Sequence, residues 1–413
     1  MLVIGGGPAG AAAAIEASRA GADVVVVDKA SFPRDKCCGD GLTTGALRHL
    51  DQLGFDPRTV PSWRVVTDVI VRSPSGRARR FPLPGVEDGL GTFAAVARRT
   101  ELDASLVELA RKTGADVLER HDLTTIAQNG RTVTATVNGP SGPISITADA
   151  AIAADGMWSP TRKLLGVNAD RYRGDWHAFR QYFQNVSGPA SRELLVWFEP
   201  DLLPGYAWSF PVDERSANVG FGMIRRPGQS VQPMKDLWPR LLARPHIADA
   251  LGPDATPEAA HRAWPIPTSL GRLPYGIGRV LFVGDALAAG DPMTGEGIGQ
   301  ALETGRLAVQ SIMHRPDYTD PNAAAERYRK RLGQSMCHDH RMARGLSKVL
   351  AFRRGANASV ALAGATDWTS RNFARWLFED YPRAALFTPR RWRRQMFQRP
   401  GAFLNPSADQ TRS

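Results

Sequence analysis

Three acidic residues in this chain close apolar runs: Asp28 after residues 24–27, Asp155 after 150–154 and before Gly156, and Asp285 after 280–284, directly behind Gly284. A carboxylate at a strand end can accept hydrogen bonds from the hydroxyls of a ribose or a ribityl chain. Glycine N–H groups at a helix start can approach phosphate or an electron-rich ring edge. The first of the three has the fullest context. Residues 2–4 run into Gly5-x-Gly7-x-x-Gly10, with Pro8 and Ala9 inside the motif and an alanine-rich stretch behind it. Gly5 permits a tight turn, Gly7 lets the backbone approach a pyrophosphate, and Gly10 lets the helix pack closely on the strand. Asp28 follows about 20 residues later, where a ribose diol is expected, and Lys29 is next to it. The alternative is an ordinary βαβ unit with a tight turn.

Other reactive groups fall in loops and on one strand. Phe32-Pro-Arg-Asp-Lys-Cys-Cys38-Gly39-Asp40-Gly41 is dense in glycine and cations. Its glycines can turn N–H groups toward a ligand, and Arg34 and Lys36 should favour a thiolate on a neighbouring cysteine. Arg99, at the start of a helix with period 3.6, is placed to meet a dinucleotide. Asp291-Pro292-x-x-Gly295-Glu296-Gly297-Ile298 opens a helix over residues 298–312. Tyr206-x-Trp208-x-Phe210-Pro211 sets three rings on one face of one strand. Cys337-His-Asp-His340 has ligand types but the wrong geometry, because histidines two apart on a helix diverge; no metal is expected there.

The elements that must position these groups read as α/β. Residues 2–4, 22–28, 150–154 and 280–284 form a parallel sheet with a Rossmann-like arrangement. Residues 178–183, 193–198, 205–211 and 217–223 alternate as strands of a mostly antiparallel sheet, with a hairpin over 65–71 and 79–83. The expected division is a discontinuous cofactor-binding domain (1–62, 91–175 and 272–318), a substrate-binding domain (63–90 and 176–271), and a helical C-terminal extension (319–413). Within that extension, arginines interleave with aromatics at 371–378 and 390–397, which suits a peripheral membrane contact; residues 405–413 read as a tail.

Composition excludes several classes. Hydrophobic residues at 43% and charged residues at 23% describe a globular protein. No apolar run is long enough to span a bilayer, and the first strand leaves no room for a secretory signal. Three cysteines make no disulfide framework, so a cytoplasmic setting is expected, with contact on the cytoplasmic face of a membrane. The formal charge of +11 raises nucleic acid as a partner, but zinc-finger spacing, aromatic RNA-binding motifs and a concentrated basic arm are all missing.

The chain resembles the geranylgeranyl reductase family of FAD-dependent oxidoreductases, within the p-hydroxybenzoate hydroxylase-like flavoproteins, over most of its length. Gly5-x-Gly7-x-x-Gly10 with Asp28, Asp155-Gly156, and Gly284-Asp285 with Pro292 and Gly297 match the three FAD fingerprints of the superfamily. Pro33-Arg-Asp-Lys-x-Cys38-Gly39-Asp40-Gly41 and Tyr206-x-Trp208-x-Phe210-Pro211, followed by Gly220-x-Gly222, match the reductases. The resemblance implies that Pro8, Ala9, Asp28, Cys38, Gly39, Asp40, Gly41, Arg99, Leu123, Asp285, Gly297 and Ile298 line FAD. Lys29, Asp155 and Gly295 are further candidates. It also implies hydride transfer from reduced flavin to isolated C=C bonds of a geranylgeranyl lipid or prenyl-quinone tail, with NAD(P)H or a ferredoxin-like carrier as donor. Cys38, Tyr206 and Trp208 are the catalytic candidates, Cys38 as proton donor. Cys37 departs from the pattern, which usually has one cysteine before this glycine. The competing reading is a flavin monooxygenase or halogenase. The lysine such halogenases use after the first βαβ unit has no counterpart between Lys36 and Lys112. A flavin-binding protein without turnover is the third reading.

Overall fold

Strands that are apolar on both faces must be covered on both. Leu2–Ile4, Ala151–Ala153 and Val280–Phe282 are buried at every position and lie together inside a six-stranded sheet. The order is Gly276–Ile277, Val280–Phe282, Ala151–Ala153, Leu2–Ile4, Val25–Asp28, Asp116–Glu119. Neighbours run parallel, with Ile4 level with Val27 and Ala153, and Ala153 level with Phe282. The edge strand Gly276–Ile277 is antiparallel. This register brings Gly5, Asp28, Asp155 and Asp285 out along one carboxyl edge. The computed structural model describes residues 1–85, 89–167, 172–225, 232–314, 321–385, 388–389 and 399–404.

Small side chains allow the covering helices to close in. In helix Pro8–Arg19 the residues Ala11, Ala12, Ala13 and Ala14 are all buried. Helix Ile298–Ile312 crosses it so closely that a Cβ on Gly305 would lie 2.2 Å from the carbonyl oxygen of Ala9. Helix Arg99–Lys112 packs against the same alanine-rich helix. The strands Asp122–Gln128, Val133–Gly139 and Gly142–Ala148 form a separate antiparallel meander.

The second sheet runs Thr256–Pro257, Trp176–Gln184, Ala217–Ile224, Tyr206–Pro211, Leu194–Trp197, Asp68–Arg72, Ala78–Pro82, with Arg262–Ile266 also paired to Trp176–Gln184. It is antiparallel except where Leu194–Trp197 meets Asp68–Arg72. The hairpin expected over 65–71 and 79–83 is therefore an edge of this sheet, in the pair Asp68–Arg72 and Ala78–Pro82. The glycine-rich loop after Phe32 ends in a short strand, Gly41–Leu42, held by Ala95–Val96.

Helices Pro321–Ser335, Cys337–Leu350, Arg353–Ala363 and Asp367–Leu377 complete the chain. The rings expected to face a membrane at 371–378 turn inward instead: Phe373 lies 4.8 Å from Phe81, and Trp376 packs beside it. Apolar rings on a helix lying over a sheet edge gain more by covering that edge than by facing water. Residues 390–397 and 405–413 lie outside the described residues. Among the described residues, no helix is long and apolar enough to cross a membrane. His340 is buried and His338 exposed, and no group of three metal-ligating side chains occurs among the described residues.

One buried carboxylate ties the C-terminal part to the first helices. Asp380 pairs with both Arg48 and Arg375, and Arg48 also donates to the Asp380 carbonyl at 2.7 Å and the Pro400 carbonyl at 2.5 Å. Removing one partner of a buried pair leaves the other charged and unsatisfied, at about 3–5 kcal/mol. Asp380→Ala should lower the denaturant midpoint accordingly. An unchanged midpoint would show that the arginines find water instead.

Candidate active site

A cavity of about 1250 Å³ runs along the carboxyl edge of the parallel sheet and under the second sheet. It gathers Gly5, Gly7, Pro8, Ala9, Asp28, Lys29, Cys38, Gly39, Asp40, Gly41, Arg99, Leu123, Asp155, Tyr206, Trp208, Asp285, Gly295, Gly297 and Ile298. Gly10 sits behind this wall, where a Cβ would come within 1.8 Å of the Gly5 carbonyl oxygen. Its part is the close crossing of helix and strand, not contact with a ligand.

At one end the wall is built for a polyanion with a sugar. The turn at Gly5 takes a φ of +104° and leads into helix Pro8–Arg19, whose first residues, Pro8 and Ala9, line the cavity. Around Gly7 there is open space: a Cβ there would meet only the Arg34 guanidinium, at 3.4 Å. Asp28 accepts the Gly6 N–H at 2.7 Å and the Ala30 N–H at 2.8 Å, which fixes its carboxylate at the strand end. Asp155 is held by the Thr161 N–H at 2.8 Å, and Asp285 by Lys36 Nζ at 2.8 Å.

The middle of the cavity is where the loop after Phe32 meets the second sheet. Tyr206, Trp208 and Phe210 form a continuous ring ladder, with centroids 6.0 and 6.2 Å apart. Room for the indole comes from the neighbouring strand, where a Cβ on Gly220 would lie 2.3 Å from Trp208 Cζ2. The Tyr206 hydroxyl donates to the Thr294 carbonyl, and Trp208 Nε1 donates to Asn218 Oδ1 at 3.2 Å. Asn218 Nδ2 in turn donates to the Cys38 carbonyl at 2.8 Å and to Asp40 Oδ2 at 2.7 Å. The Tyr182 hydroxyl donates to the same Asp40 oxygen at 2.5 Å, while Asp40 Oδ1 is buried without a partner among the described residues.

The electrostatics correct one expectation. Loop cations were expected to favour a Cys38 thiolate, but burial pushes the Cys38 thiol up, against the opposing pull of Arg99. Arg34 and Lys36 face carboxylates, Asp103 at 3.3 Å and Asp285 at 2.8 Å, so their fields are partly cancelled. Arg99 is itself clamped by Asp103 through two 2.8 Å hydrogen bonds and faces the Cys38 thiol from behind. Cys37 lies 3.6 Å from the Arg262 carbonyl, and burial raises its thiol to about 12. Two carboxyls are displaced as well. Burial raises Asp40 to about 6, and burial with the nearby Glu379 charge raises Glu296 to about 7.

Sequence reading passed over Glu296, Asn218 and Tyr182. Glu296 lies between Gly295 and Gly297 at a helix start, and a carboxyl framed by glycines was a usable signal. Its Oε1 accepts the Ile298 and Gly299 N–H groups at 2.9 and 3.1 Å, and it stands close enough to affect Cys38 and Tyr206 electrostatically. Nothing local marks Asn218 or Tyr182, whose roles depend on a chain segment about 180 and 140 residues away.

The fold and this site define a flavin-dependent oxidoreductase. Residues 1–306 match the family model described as an FAD binding domain. The chain is 32% identical to a menaquinone reductase of Mycobacterium tuberculosis over 86% of its own length and 84% of that protein. It is 30% identical to a digeranylgeranylglycerophospholipid reductase of Methanopyrus kandleri, over 89% of its length and 90% of that protein. The structure of a geranylgeranyl bacteriochlorophyll reductase-like protein from Thermoplasma acidophilum superposes with a TM-score of 0.79, covering 95% of this chain and 98% of that one at 22% identity. The chain belongs to the geranylgeranyl reductase family of FAD-dependent oxidoreductases.

The open turn at Gly7, the helix start behind it and the strand-end carboxylates fit FAD. Gly7 has φ −71°, which alanine adopts without strain, so Gly7→Ala should fold normally and bind FAD about tenfold or more weakly by crowding the pyrophosphate. Flavin titration of the apoprotein checks this. Unchanged affinity would place the phosphates elsewhere.

Proposed function

We propose that this enzyme saturates isolated carbon–carbon double bonds of a prenyl chain, carried on a lipid or a quinone. The carrying observation is the cavity beyond the FAD end, where Tyr206, Trp208, Phe210, Phe198, Val69 and Val196 continue into the C-terminal helices through Phe373 and Leu377. At about 1250 Å³ it exceeds the ~300–1,000 Å³ of ordinary small-molecule sites. Its apolar length suits a second, chain-like molecule lying end-on to the cofactor. The names of the two relatives, a menaquinone reductase and a digeranylgeranylglycerophospholipid reductase, support the same substrate class.

Bound FAD, in its reduced form, supplies the hydride. The protein must supply the proton and tolerate the charge that proton creates. An isolated alkene has no neighbour to stabilise a carbanion, so proton transfer has to lead or accompany hydride transfer, and a trisubstituted carbon then takes tertiary cation character. Tyr206 and Trp208 border that position with ring faces, each worth roughly 0.5–2 kcal/mol to a well-placed cation. Cys38 is the proposed donor, because burial keeps it as a thiol and Arg99 stabilises the thiolate left behind. Glu296, a carboxylic acid up to about pH 7, is the proposed reserve that restores the proton. The alkene gains one proton and one hydride, and a carrier of the NAD(P)H or ferredoxin class would supply the two electrons for the next turnover.

Holoenzyme with chemically reduced flavin should convert menaquinone or a geranylgeranyl lipid to products two daltons heavier per bond under strict anaerobiosis. A strict need for O2 would instead indicate an oxygenase on the same frame. In steady-state turnover the rate should hold below about pH 7 and fall above it, since only protonated Glu296 can return a proton to the Cys38 thiolate. Glu296→Gln should remove that break, and Cys38→Ala should lose on the order of 10²-fold with FAD loading intact. Full activity in Cys38→Ala would reject the thiol as donor.

A further inference from the structure

The apolar end of the cavity reaches the surface. Helices Cys337–Leu350, Arg353–Ala363 and Asp367–Leu377 wall it off, and two of the lining residues they and their links contribute, Leu362 and Trp368, are 74% and 68% exposed. A side chain that both lines a cavity and faces solvent marks its rim. Phe352 (70%) and Val349 (48%) extend the same helical layer outward.

The outer face of this layer is unlike that of an ordinary surface helix. The exposed positions of helix Arg353–Ala363 are Arg353, Arg354, Ala358, Ala361 and Leu362, so past its first turn the solvent side is apolar where polar residues are the rule. Charges collect around that apolar face with one sign. Between residues 341 and 371 the charged side chains are Arg341, Arg344, Lys348, Arg353, Arg354 and Arg371 against Asp367 alone, and every one is exposed. Exposed aromatic and aliphatic groups flanked by cations match the acyl boundary and headgroup layer of an anionic bilayer.

We propose that this helical layer seats the enzyme on an anionic phospholipid membrane, with the cavity mouth between Leu362 and Trp368 turned to the lipid. The inference rests on the prenyl-substrate reading, since a long hydrocarbon chain crosses water poorly and is best passed from acyl layer to cavity without leaving an apolar medium. It places a membrane contact at the rim of the substrate cavity, on the helices that precede the expected segment at 390–397.

The test is co-sedimentation of full-length holoenzyme with phosphatidylcholine vesicles, with and without phosphatidylglycerol. Wild type should bind the phosphatidylglycerol vesicles preferentially, and Arg353→Ser with Arg354→Ser should measurably reduce the preference. Val349→Ser with Phe352→Ser, both off the cavity wall, should weaken partitioning about tenfold or more. That double variant should keep its flavin and its rate on detergent-dispersed menaquinone while losing turnover of menaquinone embedded in vesicles. Wild type left in the supernatant with both vesicle types, or the double variant partitioning as wild type does, would overturn the proposal. Enzyme that reduces detergent-dispersed menaquinone without binding vesicles overturns the docking face alone. Enzyme that binds through these residues yet reduces no prenyl substrate supports the face and removes the function proposed above.

Discussion

The buried amide of Asn218 is the joint on which the site depends. It accepts from Trp208 Nε1 and donates to both the Cys38 carbonyl and Asp40 Oδ2. Those three partners come from the aromatic wall of one sheet and from the loop that leaves the other. An amide has fixed donor and acceptor directions, so satisfying all three at once sets the loop against the wall to within hydrogen-bond tolerance. The backbone follows: a Cβ on Gly41 would sit 3.0 Å from the Phe210 ring, and one on Gly39 3.4 Å from Trp208 Nε1. The thiol, the loop glycines and the indole are thereby held in one arrangement, and hydride transfer tolerates little error in such spacing.

Holding that arrangement requires burial, and burial decides the charge state of everything in it. Asp40 and Glu296 are raised toward neutrality because desolvation outweighs the hydrogen bonds they accept. Cys38 is raised for the same reason, although Arg99 stands behind it. A site that must hand a proton to a hydrocarbon gains from acids that keep their protons in a dry setting. The cations of the loop would work against this if they were free, and each is matched, Arg34 with Asp103 and Lys36 with Asp285, while Arg180 on the facing strand pairs with the loop's Asp35 at 2.7 Å.

How far the sequence reveals this depends on the range of the forces involved. The parallel sheet was legible because each strand's burial is written in its own residues, and the glycine–acid strand ends because turn chemistry is local. The helix over residues 298–312 appears with those bounds. The period-two spacing of Tyr206, Trp208 and Phe210 correctly placed three rings on the cavity side. What escaped was set by contacts distant in sequence. The Cys38 environment was misjudged because neighbouring cations are visible in sequence while their partners Asp103 and Asp285 are not. Asn218 looked like any polar residue in a strand. Phe373 and Trp376 looked like a surface patch until Phe81 and the sheet edge were found beneath them.

The C-terminal helices show why a shared flavin frame can serve a lipid. The strand ends that face FAD need only glycines and carboxylates, and they say little about what is reduced. Selectivity has to come from whatever closes the far end of the cavity, and here that is a helical layer rather than more sheet. On the docking face proposed above, such a layer would meet hydrocarbon on two sides, a prenyl chain inside and acyl chains outside. Helix Arg353–Ala363 has that character, with Val360 buried against the sheet side and Ala358, Ala361 and Leu362 turned out. A layer apolar on both faces is a poor partner for water and a good one for a membrane. On the proposed docking face, the same residues that would destabilise a water-facing helix would give a lipid substrate a continuous apolar path to the ring wall.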